Sequence, residues 1–393
     1  MLSALGCYDN KYSFAQCSLS GRAAARMAEV TKEEGVTTHR LLGFTPGKGF
    51  AYNENNQLTE NIIIVDEISL YGGELFLSLI RAIPTGSKLI MLGDSSQLES
   101  IGSLNLAHDM IESLSIPTVK LTKIHRQAAK SGVIVSSLRI RDGKQIFKRN
   151  FEGTKTVGEL EDMHFNITSD NETTKERVVN TFKEKFNTSL VHKDIMRIQV
   201  LCTMTERGDA SVLSINRAIQ EFYNPHSEDK KYITMNAKKK NEFTIREGDK
   251  IMCVQNSYRM HTSTNPEEDI LTDVYNGWIG IAKDIDPFAR EVYVYFPIIN
   301  KTVIFDSGDI NTLTLAYACT THKYQGSSAP CIIAAIDSTT PPQMRTREMI
   351  YTMLTRAEKD CTLVGQNYII CECIATSGIE RKNTFLQQFL LDK

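Results

Sequence analysis

Short apolar runs alternate with amphipathic stretches along the first third of the chain. The strand-like runs are YSFAQCSL, NIIIV, KLIML and TVKL, and the helix-like stretches between them are GRAAARMAEVTKEE, GGELFLSLIRAI and LNLAHDMIESL. Such alternation predicts a parallel sheet flanked by helices. The unbroken Ile and Val run in NIIIV is typical of a strand that is buried on both faces.

The same alternation returns later in the chain, but one segment interrupts it. RIQVLCTM, CIIAAI and CTLVG have the pattern of strands, and ASVLSINRAIQEFY and REMIYTMLTRA have that of helices. Residues from about 247 to 312 instead form short strand-like runs with turn residues between them, namely GDKIMCVQN, GWIGIAKDID, REVYVYF and KTVIFD. This segment predicts a small β-barrel or β-sheet insertion. We expect the basic stretch DKKYITMNAKKKN to be a solvated connector, with contact to phosphates as the alternative.

These patterns predict an α/β protein with two parallel-sheet domains. The first is expected to run from residue 1 to 128, and the second from 129 to 393 with the insertion inside it. A length of 393 residues is sufficient for two or more domains.

Composition and charge narrow the class of protein. The formal net charge of −2 excludes a histone-like polycation but permits a local basic groove. The nine cysteines form no C-x-x-C pair, so we expect reduced thiols and a cytoplasmic protein. No run approaches about 18 apolar residues and the first residues lack a signal-peptide pattern, so we expect no membrane association.

Polar side chains follow two of the predicted strands. Asp66 and Glu67 come directly after NIIIV, and Gly93 and Asp94 follow KLIML, with Gln97 one turn further on. In an open α/β sheet, ligands bind beyond the carboxyl ends of the strands. An Asp there can hold Mg²⁺, a Glu can align a hydrolytic water, and a Gln can contact both a γ-phosphate and that water. A single acidic pair could be an exposed pair without a function, but two such strand ends favour a phosphoryl-transfer site.

Two arginines could complete such a site. Arg126 follows a predicted strand in LTKIHRQ, and Arg356 lies late in the predicted helix of YTMLTRA. Phosphoryl transfer spreads negative charge over the equatorial oxygens, which an arginine can stabilise. For either arginine alone, a surface ion pair is the alternative.

One glycine-containing loop, GFTPGKGF at residues 43–50, contains a Gly-Lys pair. A phosphate-binding loop needs G-x-x-x-x-G-K-[ST], whereas here Gly43 and Gly47 are one residue too close and Gly49 follows Lys48. A hairpin that reverses at Pro46 and Gly47 is the better interpretation. The sequence therefore contains no recognisable phosphate-binding loop.

Taken together, the motifs resemble those of the superfamily 1 helicases, in particular the RecD-like branch that includes the phage Dda-type enzymes. VDEISL, GDSSQLESIG, LTKIHRQAAKSG, LAYACTTHKYQGSS and YTMLTRA occur in the order and at roughly the spacings of that family's motifs. LSGRAAARMAE and TTHRLLG resemble its strand-binding motifs, and VYNGWIG resembles the turn that enters its small barrel. The resemblance covers essentially the whole chain, with two departures: Leu19 and Ser20 replace a Pro-Thr pair, and Glu99 replaces a common Pro.

The resemblance implies two RecA-like domains with a β-hairpin pin at about residues 43–58, and ATP with Mg²⁺ in the cleft between the domains. It makes Asp66 the Mg²⁺ ligand, Glu67 the water-orienting base and Gln97 the γ-phosphate sensor, with Arg126 and Arg356 as arginine fingers. The residues that it further assigns to the nucleotide are Gly93, Asp94, Gln325 and Gly326. The residues that it assigns to DNA are Ser20, Gly21, Arg22, Thr38, His39, Phe50, Thr321 and His322.

The resemblance also implies the activity. We expect an ATP-driven helicase or translocase on single-stranded DNA and duplex junctions, with 5′→3′ polarity, that works with replication or recombination proteins. The alternative is a non-catalytic DNA-binding or partner-binding relic, which the missing phosphate-binding loop favours. We expect the gene product to carry about 25 to 40 further residues upstream of Met1 that include this loop, a range set by the strand, loop and first helical turns of such a unit.

Overall fold

The fold is described from a computed structural model of the chain. It describes residues 13–45, 47–98, 104–121, 128–237, 239–262, 271–379 and 384–392. By internal contacts the chain divides into two compact units, the first formed by residues 1–122 and 379–393 and the second by residues 123–378. No helix in these described ranges combines the length and the apolar character needed to cross a membrane.

The first unit is built on a four-stranded parallel sheet with strand order β2-β1-β5-β6. Its strands, including a short hairpin, are β1 (Phe14–Ser18), β2 (Gly35–Thr37), β3 (Phe44–Thr45), β4 (Gly49–Phe50), β5 (Ile62–Asp66) and β6 (Lys88–Met91). Its helices before residue 122 are α1 (Gly21–Thr31), α2 (Thr38–Leu41), α3 (Gly73–Ala82) and α4 (Leu106–Glu112). The predicted parallel sheet with flanking helices is confirmed.

Burial explains why β5 is a central strand of this sheet. Its first four residues, Ile62 to Val65, are all buried, as the unbroken apolar run predicts. Helix α1 begins at a capping residue, since the Ser20 hydroxyl accepts a hydrogen bond from the Ala23 amide at 3.1 Å. The core between sheet and helices includes Cys17, Leu79 and Met110.

The glycine-containing loop forms a hairpin, as predicted. Strands β3 and β4 pair antiparallel, with Phe44 opposite Phe50 and Thr45 opposite Gly49. The Lys48 amide donates to the Thr45 carbonyl at 3.0 Å and closes the turn. Pro46 lies outside the described residues. The Gly-Lys pair therefore belongs to a β-turn, and the interpretation against a phosphate-binding loop is supported.

The expected strand TVKL is wrong. Residues 118–121 have no strand pairing, and the side chains of Val119 and Leu121 are 87% and 97% exposed. An apolar residue at alternate positions favours a strand only where a neighbouring strand can pair with it and cover its face. Within the described part of the chain, no such neighbour pairs with this segment.

The second unit contains a six-stranded sheet and a mainly antiparallel region. Its strands are β7 (Gly153–Val157), β8 (Met163–Thr168), β9 (Ile198–Cys202), β10 (Tyr232–Met235), β11 (Phe243–Arg246), β12 (Lys250–Cys253), β13 (Ser257–His261), β14 (Leu271–Val274), β15 (Ile279–Asp286), β16 (Glu291–Phe296), β17 (Lys301–Phe305), β18 (Leu313–Leu315), β19 (Ala318–Thr320), β20 (Ala329–Ile336) and β21 (Ala357–Gln366). The six-stranded sheet has the order β19-β9-β20-β21-β8-β7 and is parallel except for the edge strand β7.

Helices of the second unit alternate with the strands of this sheet. They are α5 (Gly132–Arg141), α6 (Asn171–Phe186), α7 (Val212–Tyr223), α8 (Arg347–Leu354) and α9 (Asn367–Ala375). The longest of them, α6, begins with a capping box in which Asp170 and Thr173 bond each other's backbone amides. Two parallel sheets in an α/β arrangement match the two RecA-like domains that the resemblance implies.

The predicted insertion is a five-stranded antiparallel sheet with the order β17-β16-β15-β12-β18. Among the described residues, the edge strands β17 and β18 do not pair with each other, so closure into a barrel is not confirmed. Its interior side chains, among them Trp278, Phe296 and Phe305, share one apolar core with Val200 and Ile333 of the six-stranded sheet. The basic connector differs from its prediction, because its residues 232–235 form strand β10, which pairs antiparallel with β11.

The C-terminal segment packs on the first unit, although the sequence assigned it to the second domain. Helix α10 (Leu386–Leu391) contributes Leu386 and Leu390 to the apolar core of the first unit. Thr384 donates a short hydrogen bond to the Asp109 carboxylate, and the Ser115 hydroxyl donates to the Leu390 carbonyl at 2.9 Å. These contacts attach the end of the chain to α4.

Candidate nucleotide and nucleic-acid sites

The four parallel strands of the first unit end along one edge of their sheet. In sheet order, the last residues of the strands are Thr37, Ser18, Asp66 and Met91. The predicted functional residues come directly after these ends, because Thr38 follows β2, Ser20 and Gly21 follow β1, and Gly93 follows β6. The fold thus brings both sets of residues to one edge of the sheet. The residues assigned to DNA lie in one half of this edge, at the ends of β1 and β2, and those assigned to the nucleotide lie in the other half, at the ends of β5 and β6.

Asp66 and Glu67 form a fixed turn at the end of β5. The Asp66 Oδ1 atom accepts a hydrogen bond from the Glu67 amide at 2.8 Å. Glu67 has a φ of 57°, in the left-handed region that non-glycine residues rarely adopt. A backbone held in this region is often found at functional sites. Within the described part of the chain, Asp66 Oδ2 accepts no hydrogen bond, so one carboxylate oxygen is available to a cation.

The end of β6 is held against this turn by close packing at Gly93. A Cβ atom at Gly93 would lie 2.8 Å from Ile68 Cγ2, so a larger residue would push the two strand ends apart. The Ile68 amide donates to the Leu92 carbonyl at 3.0 Å, and the Leu92 amide donates to the Val65 carbonyl at 2.8 Å. Asp94 therefore follows a strand end that is fixed beside Asp66 and Glu67.

Gln97 closes the turn that begins at Asp94. Its amide donates to the Asp94 carbonyl at 3.2 Å, and Asp94 Oδ1 accepts from the Ser96 amide at 2.9 Å. The Gln97 Oε1 atom is buried and has no hydrogen-bond partner among the described residues. A buried acceptor without a partner costs about 1–3 kcal/mol, so the site favours a ligand or water that donates to it.

Thr38 connects the two halves of the edge instead of facing outward. Its side chain is buried, its hydroxyl donates to the Ser18 carbonyl at 3.3 Å, and it forms a short hydrogen bond with the Tyr71 hydroxyl. The Ser18 hydroxyl in turn donates to the Asp66 carbonyl at 3.3 Å. These bonds link the residue assigned to DNA to the residue assigned to Mg²⁺.

His39, Phe44 and Phe50 form an aromatic cluster beside the hairpin. The ring centroid of His39 lies 5.5 Å from that of Phe44 and 5.9 Å from that of Phe50, and the two Phe centroids are 5.2 Å apart. Burial lowers the pKa of His39, so its ring is neutral at pH 7. Because Phe44 is 43% exposed, the cluster presents an aromatic surface suited to stacking.

The predicted DNA motif of the second unit lies at the end of β19. Thr321 is buried, and both its amide and its hydroxyl bond the Cys202 carbonyl, at 3.1 and 3.3 Å. His322 is half-buried, and burial lowers its pKa, so it too is neutral at pH 7. A 3-10 turn, His322–Tyr324, then leads into Gln325 and Gly326. The Thr321 side chain thus positions this turn.

Arg356 lies just past helix α8, which ends at Leu354, and not within the helix as predicted. The reason is that its carbonyl already accepts from the Ala329 amide at 3.0 Å, next to strand β20. Arg356 is 7% exposed, and its Nη1 atom donates to the Ser327 carbonyl at 3.4 Å. Arg356 therefore lies beside the turn that holds Gln325 and Gly326. Arg126 lies outside the described residues.

Polar residues at two further strand ends were missed. Thr203 follows β9 and bonds the Thr340 hydroxyl at 2.7 Å, and the buried Asp337 follows β20 and accepts from the Thr339 amide at 2.9 Å. Both lie at the carboxyl edge of the six-stranded sheet. The strand-end rule used for Asp66 would have identified them, because each directly follows a buried apolar run.

Two family models match the chain. Residues 2–103 match an AAA domain, and residues 315–364 match a UvrD-like helicase C-terminal domain. The first match covers the residues of the four-stranded sheet, and the second covers the turn at 321–326 together with Arg356.

Curated relatives extend the similarity over most of the chain. It is 28% identical over 346 residues to an ATP-dependent RecD2 DNA helicase of Deinococcus radiodurans, which covers 87% of this chain and 41% of the relative. It is 24% identical over 388 residues to the RecBCD enzyme subunit RecD of Mycobacterium tuberculosis, which covers 92% of this chain and 62% of the relative. The chain thus spans about two fifths to three fifths of the length of these relatives.

Solved structures show the same fold. The Pif1 helicase from Bacteroides, in complex with ADP-AlF3 and ssDNA, matches with a TM-score of 0.52 at 18% identity and covers 96% of this chain and 93% of its own. The Pif1 helicase from Candida albicans matches with a TM-score of 0.52 at 16% identity and covers 100% of this chain and 90% of its own. At these identities the likeness concerns the fold alone.

Proposed function

We propose that the chain is a member of the RecD-like branch of the superfamily 1 helicases and that it is the motor of an ATP-driven DNA helicase or translocase. The observation that carries this proposal is the shared edge of the four-stranded sheet, where Asp66, Glu67, Gly93 and Asp94 lie beside Ser20, Gly21 and Thr38. The substrates are ATP and single-stranded DNA. The 5′→3′ polarity rests on the branch alone.

The strand ends of β5 and β6 would bind and hydrolyse the nucleotide. Mg²⁺ is held in such sites by one or two carboxylates together with substrate phosphates, which suits the open Oδ2 atom of Asp66. When bound, the ion neutralises charge on the phosphates. Glu67 would orient the attacking water as general base, and Gln97 would donate to the γ-phosphate and accept from that water. Arg356 and Arg126 would stabilise the charge that develops in the transition state.

The strand ends of β1 and β2 would hold the DNA backbone. The first amides of α1 begin at Gly21, and backbone amides at a helix start suit phosphate oxygens. Arg22 adds a positive charge to the same turn, and His39 and Phe50 add aromatic surface. In the second unit, His322 and the amides around Thr321 would contact the same strand. Such contacts position a strand without reading its base sequence.

The hydrogen bonds from Thr38 to Ser18 and from Ser18 to Asp66 support a physical connection between the two halves. A change at the nucleotide half would alter the position of the Asp66 carbonyl, and this change would reach Thr38 through one intervening residue. This arrangement suits a motor, in which the state of the nucleotide must alter the grip on DNA.

The test is ATP hydrolysis by the purified full-length gene product, with and without a single-stranded oligonucleotide. We expect single-stranded DNA to stimulate hydrolysis, and a forked duplex with a 5′ single-stranded tail to be unwound in the presence of ATP and Mg²⁺. Hydrolysis that is absent, or that ignores DNA at saturating ATP, would contradict the proposal and favour the non-catalytic alternative.

A further inference from the structure

A cavity of about 260 Å³ lies within the second unit, next to the end of β19. Its walls come from the start of α7, from the β10–β11 hairpin and from strands β12 and β18. Thr320, which lines it, directly precedes Thr321 and His322. The cavity, called here the side pocket, therefore opens beside the turn that we assign to DNA.

Apolar side chains line the floor of the side pocket without being fully covered. Three lining residues, Leu213, Phe243 and Val254, are half-buried. Their close neighbours in the chain are fully buried, namely Ile215, Ile245 and Ile251. The fold therefore leaves an apolar surface that includes an aromatic ring. Flat, apolar ligands stack well on such a ring.

Amide side chains form the polar part of the wall. Asn236, Asn241 and Asn311 line the side pocket, and none of them makes a side-chain hydrogen bond within the described part of the chain. Another lining residue, Asn216, differs because its amide is occupied by the backbone of Leu315 and Ala318. An amide can both donate and accept, so the three available side chains suit a ligand that carries both kinds of group.

Lysine side chains lie around the opening, although Glu206 also lines the side pocket. Lys323 lines the side pocket, and Lys239 and Lys240 are exposed on the turn of the β10–β11 hairpin, between Asn236 and Asn241. Ammonium groups in this position favour an anionic ligand or a ligand with an anionic backbone. Because one water fills roughly 30 Å³, the side pocket has room for a single nucleobase and a few waters.

We propose that the side pocket binds one unstacked nucleobase of the bound single strand, while Lys323 and the hairpin lysines hold the adjoining phosphates. This inference rests on the proposed function, since it requires a strand at Thr321 and His322. The amides can present a donor or an acceptor to each base, so the pocket accepts all four bases. A base held in the side pocket would fix the position of the strand, nucleotide by nucleotide, at each step of the motor.

The test compares a short oligothymidylate with an oligomer of the same length that consists of abasic deoxyribose phosphates. Equilibrium dissociation constants are measured by fluorescence anisotropy at fixed salt for the wild type and for Phe243→Ala. Stacking contributes roughly 1–3 kcal/mol per base, equivalent to about 5- to 150-fold in affinity. We expect Phe243→Ala to weaken binding of oligothymidylate by such a factor and to leave binding of the abasic oligomer unchanged.

Two further variants make the comparison specific. Asn241→Ala, on a half-exposed turn, should also weaken binding of oligothymidylate alone, by about 2- to 10-fold for one hydrogen bond. Phe222→Ala removes a partly exposed ring of α7 that does not line the side pocket, and it should change neither constant.

Each outcome decides between the two proposals. Equal weakening of both oligomers by Phe243→Ala, or no weakening of either, would overturn the base pocket while leaving the motor intact. Tight binding of free thymidine, unaffected by competing oligothymidylate, would show a small-molecule site instead. Failure of the wild type to bind either oligomer would overturn the base pocket together with the proposed function.

Discussion

Glu67 combines an uncommon backbone conformation with a position directly after the Mg²⁺ ligand proposed for this site. Its φ of 57° and the hydrogen bond from its amide to Asp66 fix the direction in which its side chain leaves the backbone. With a phosphate-binding loop supplied, as expected in the full-length gene product, Glu67→Gln should bind ATP normally but hydrolyse it at least about 100-fold more slowly, because a positioned general base contributes roughly 10²–10⁴. DNA-stimulated turnover at saturating ATP measures this, with Glu54→Gln at an exposed site as control. Turnover within a few-fold of wild type would contradict the role of Glu67.

Asp360 lies far along the chain from these residues and stabilises the second unit. Lys185 Nζ lies 2.7 Å from its carboxylate and His164 Nε2 lies 3.3 Å away. Burial raises the pKa of Asp360, but hydrogen bonds from His164 and Lys185 outweigh burial and hold the pKa below its ordinary value. Because the pKa is lower in the folded state, the ionised carboxylate stabilises the fold above the unfolded pKa of about 3.9. This contribution is lost as the pH falls through the folded value.

We therefore expect Asp360→Asn to lower the free energy of unfolding by about 2 kcal/mol at neutral pH, a typical value for hydrogen bonds to a charged group. The difference from wild type should shrink once the pH falls below about 4. Trp278, the single tryptophan of the chain, is buried in the second unit and reports its urea unfolding by fluorescence. Asp229→Asn, at an exposed position, is the control. A deficit of the same size at every pH would refute the ionic origin of the effect.

Changes in the hairpin of β3 and β4 test whether this element separates the strands of a duplex. Its aromatic cluster exposes Phe44 and packs Phe50 against both Phe44 and His39. We expect Phe50→Ala, or shortening of residues 46–49, to reduce unwinding of a forked duplex several-fold more than DNA-stimulated hydrolysis. The reason is that a wedge acts on the base pair and not on the nucleotide. Val30→Ala, at a largely exposed position of α1, is the control. Equal losses in both assays would make the hairpin purely structural.

The elements that sequence predicted best are those whose pattern depends on burial alone. The Ile and Val run of β5 and the polar residues after it predicted both a central strand and the strand-end site. TVKL was wrong because a strand also requires a partner, which local sequence does not specify. Arg356 was placed within a helix because its neighbours are good helix formers, yet pairing with Ala329 draws it toward β21. Helix α6 was missed despite the capping signal at Asp170 and Thr173.

Binding of DNA depends on the charge distribution of the entire protein. With a net charge of −2 the chain has no general attraction for nucleic acid, so affinity must come from local phosphate contacts. We expect affinity for single strands to fall at least about 10-fold between about 50 and 200 mM salt. The reason is that binding releases counterions from the phosphates, and this release becomes less favourable as the salt concentration rises. At fixed salt, oligonucleotides of different sequence should bind within a few-fold of each other. Anisotropy titrations measure both, and a strong preference for one sequence would contradict a translocase.

Sequence did not predict how the chain divides into units, because that division depends on contacts between distant segments. Leu386 and Leu390 have the spacing of an ordinary amphipathic turn, which does not specify the surface that covers them. In the structure, that surface is the apolar core beneath α4. The hydrogen bond between Ser115 and Leu390 joins residues that are 275 positions apart in the chain.

This return of the C-terminal segment affects the order in which the protein can fold during synthesis. The first unit needs residues 379–393, so the whole second unit, residues 123–378, leaves the ribosome before the first unit has its last helix. Domains usually fold from the N-terminus onward at synthesis rates of roughly 5–20 residues per second. Here the later unit is the first to have all of its residues. The earlier unit waits on the order of ten seconds or more, with the surface that α10 will cover still open to chaperones.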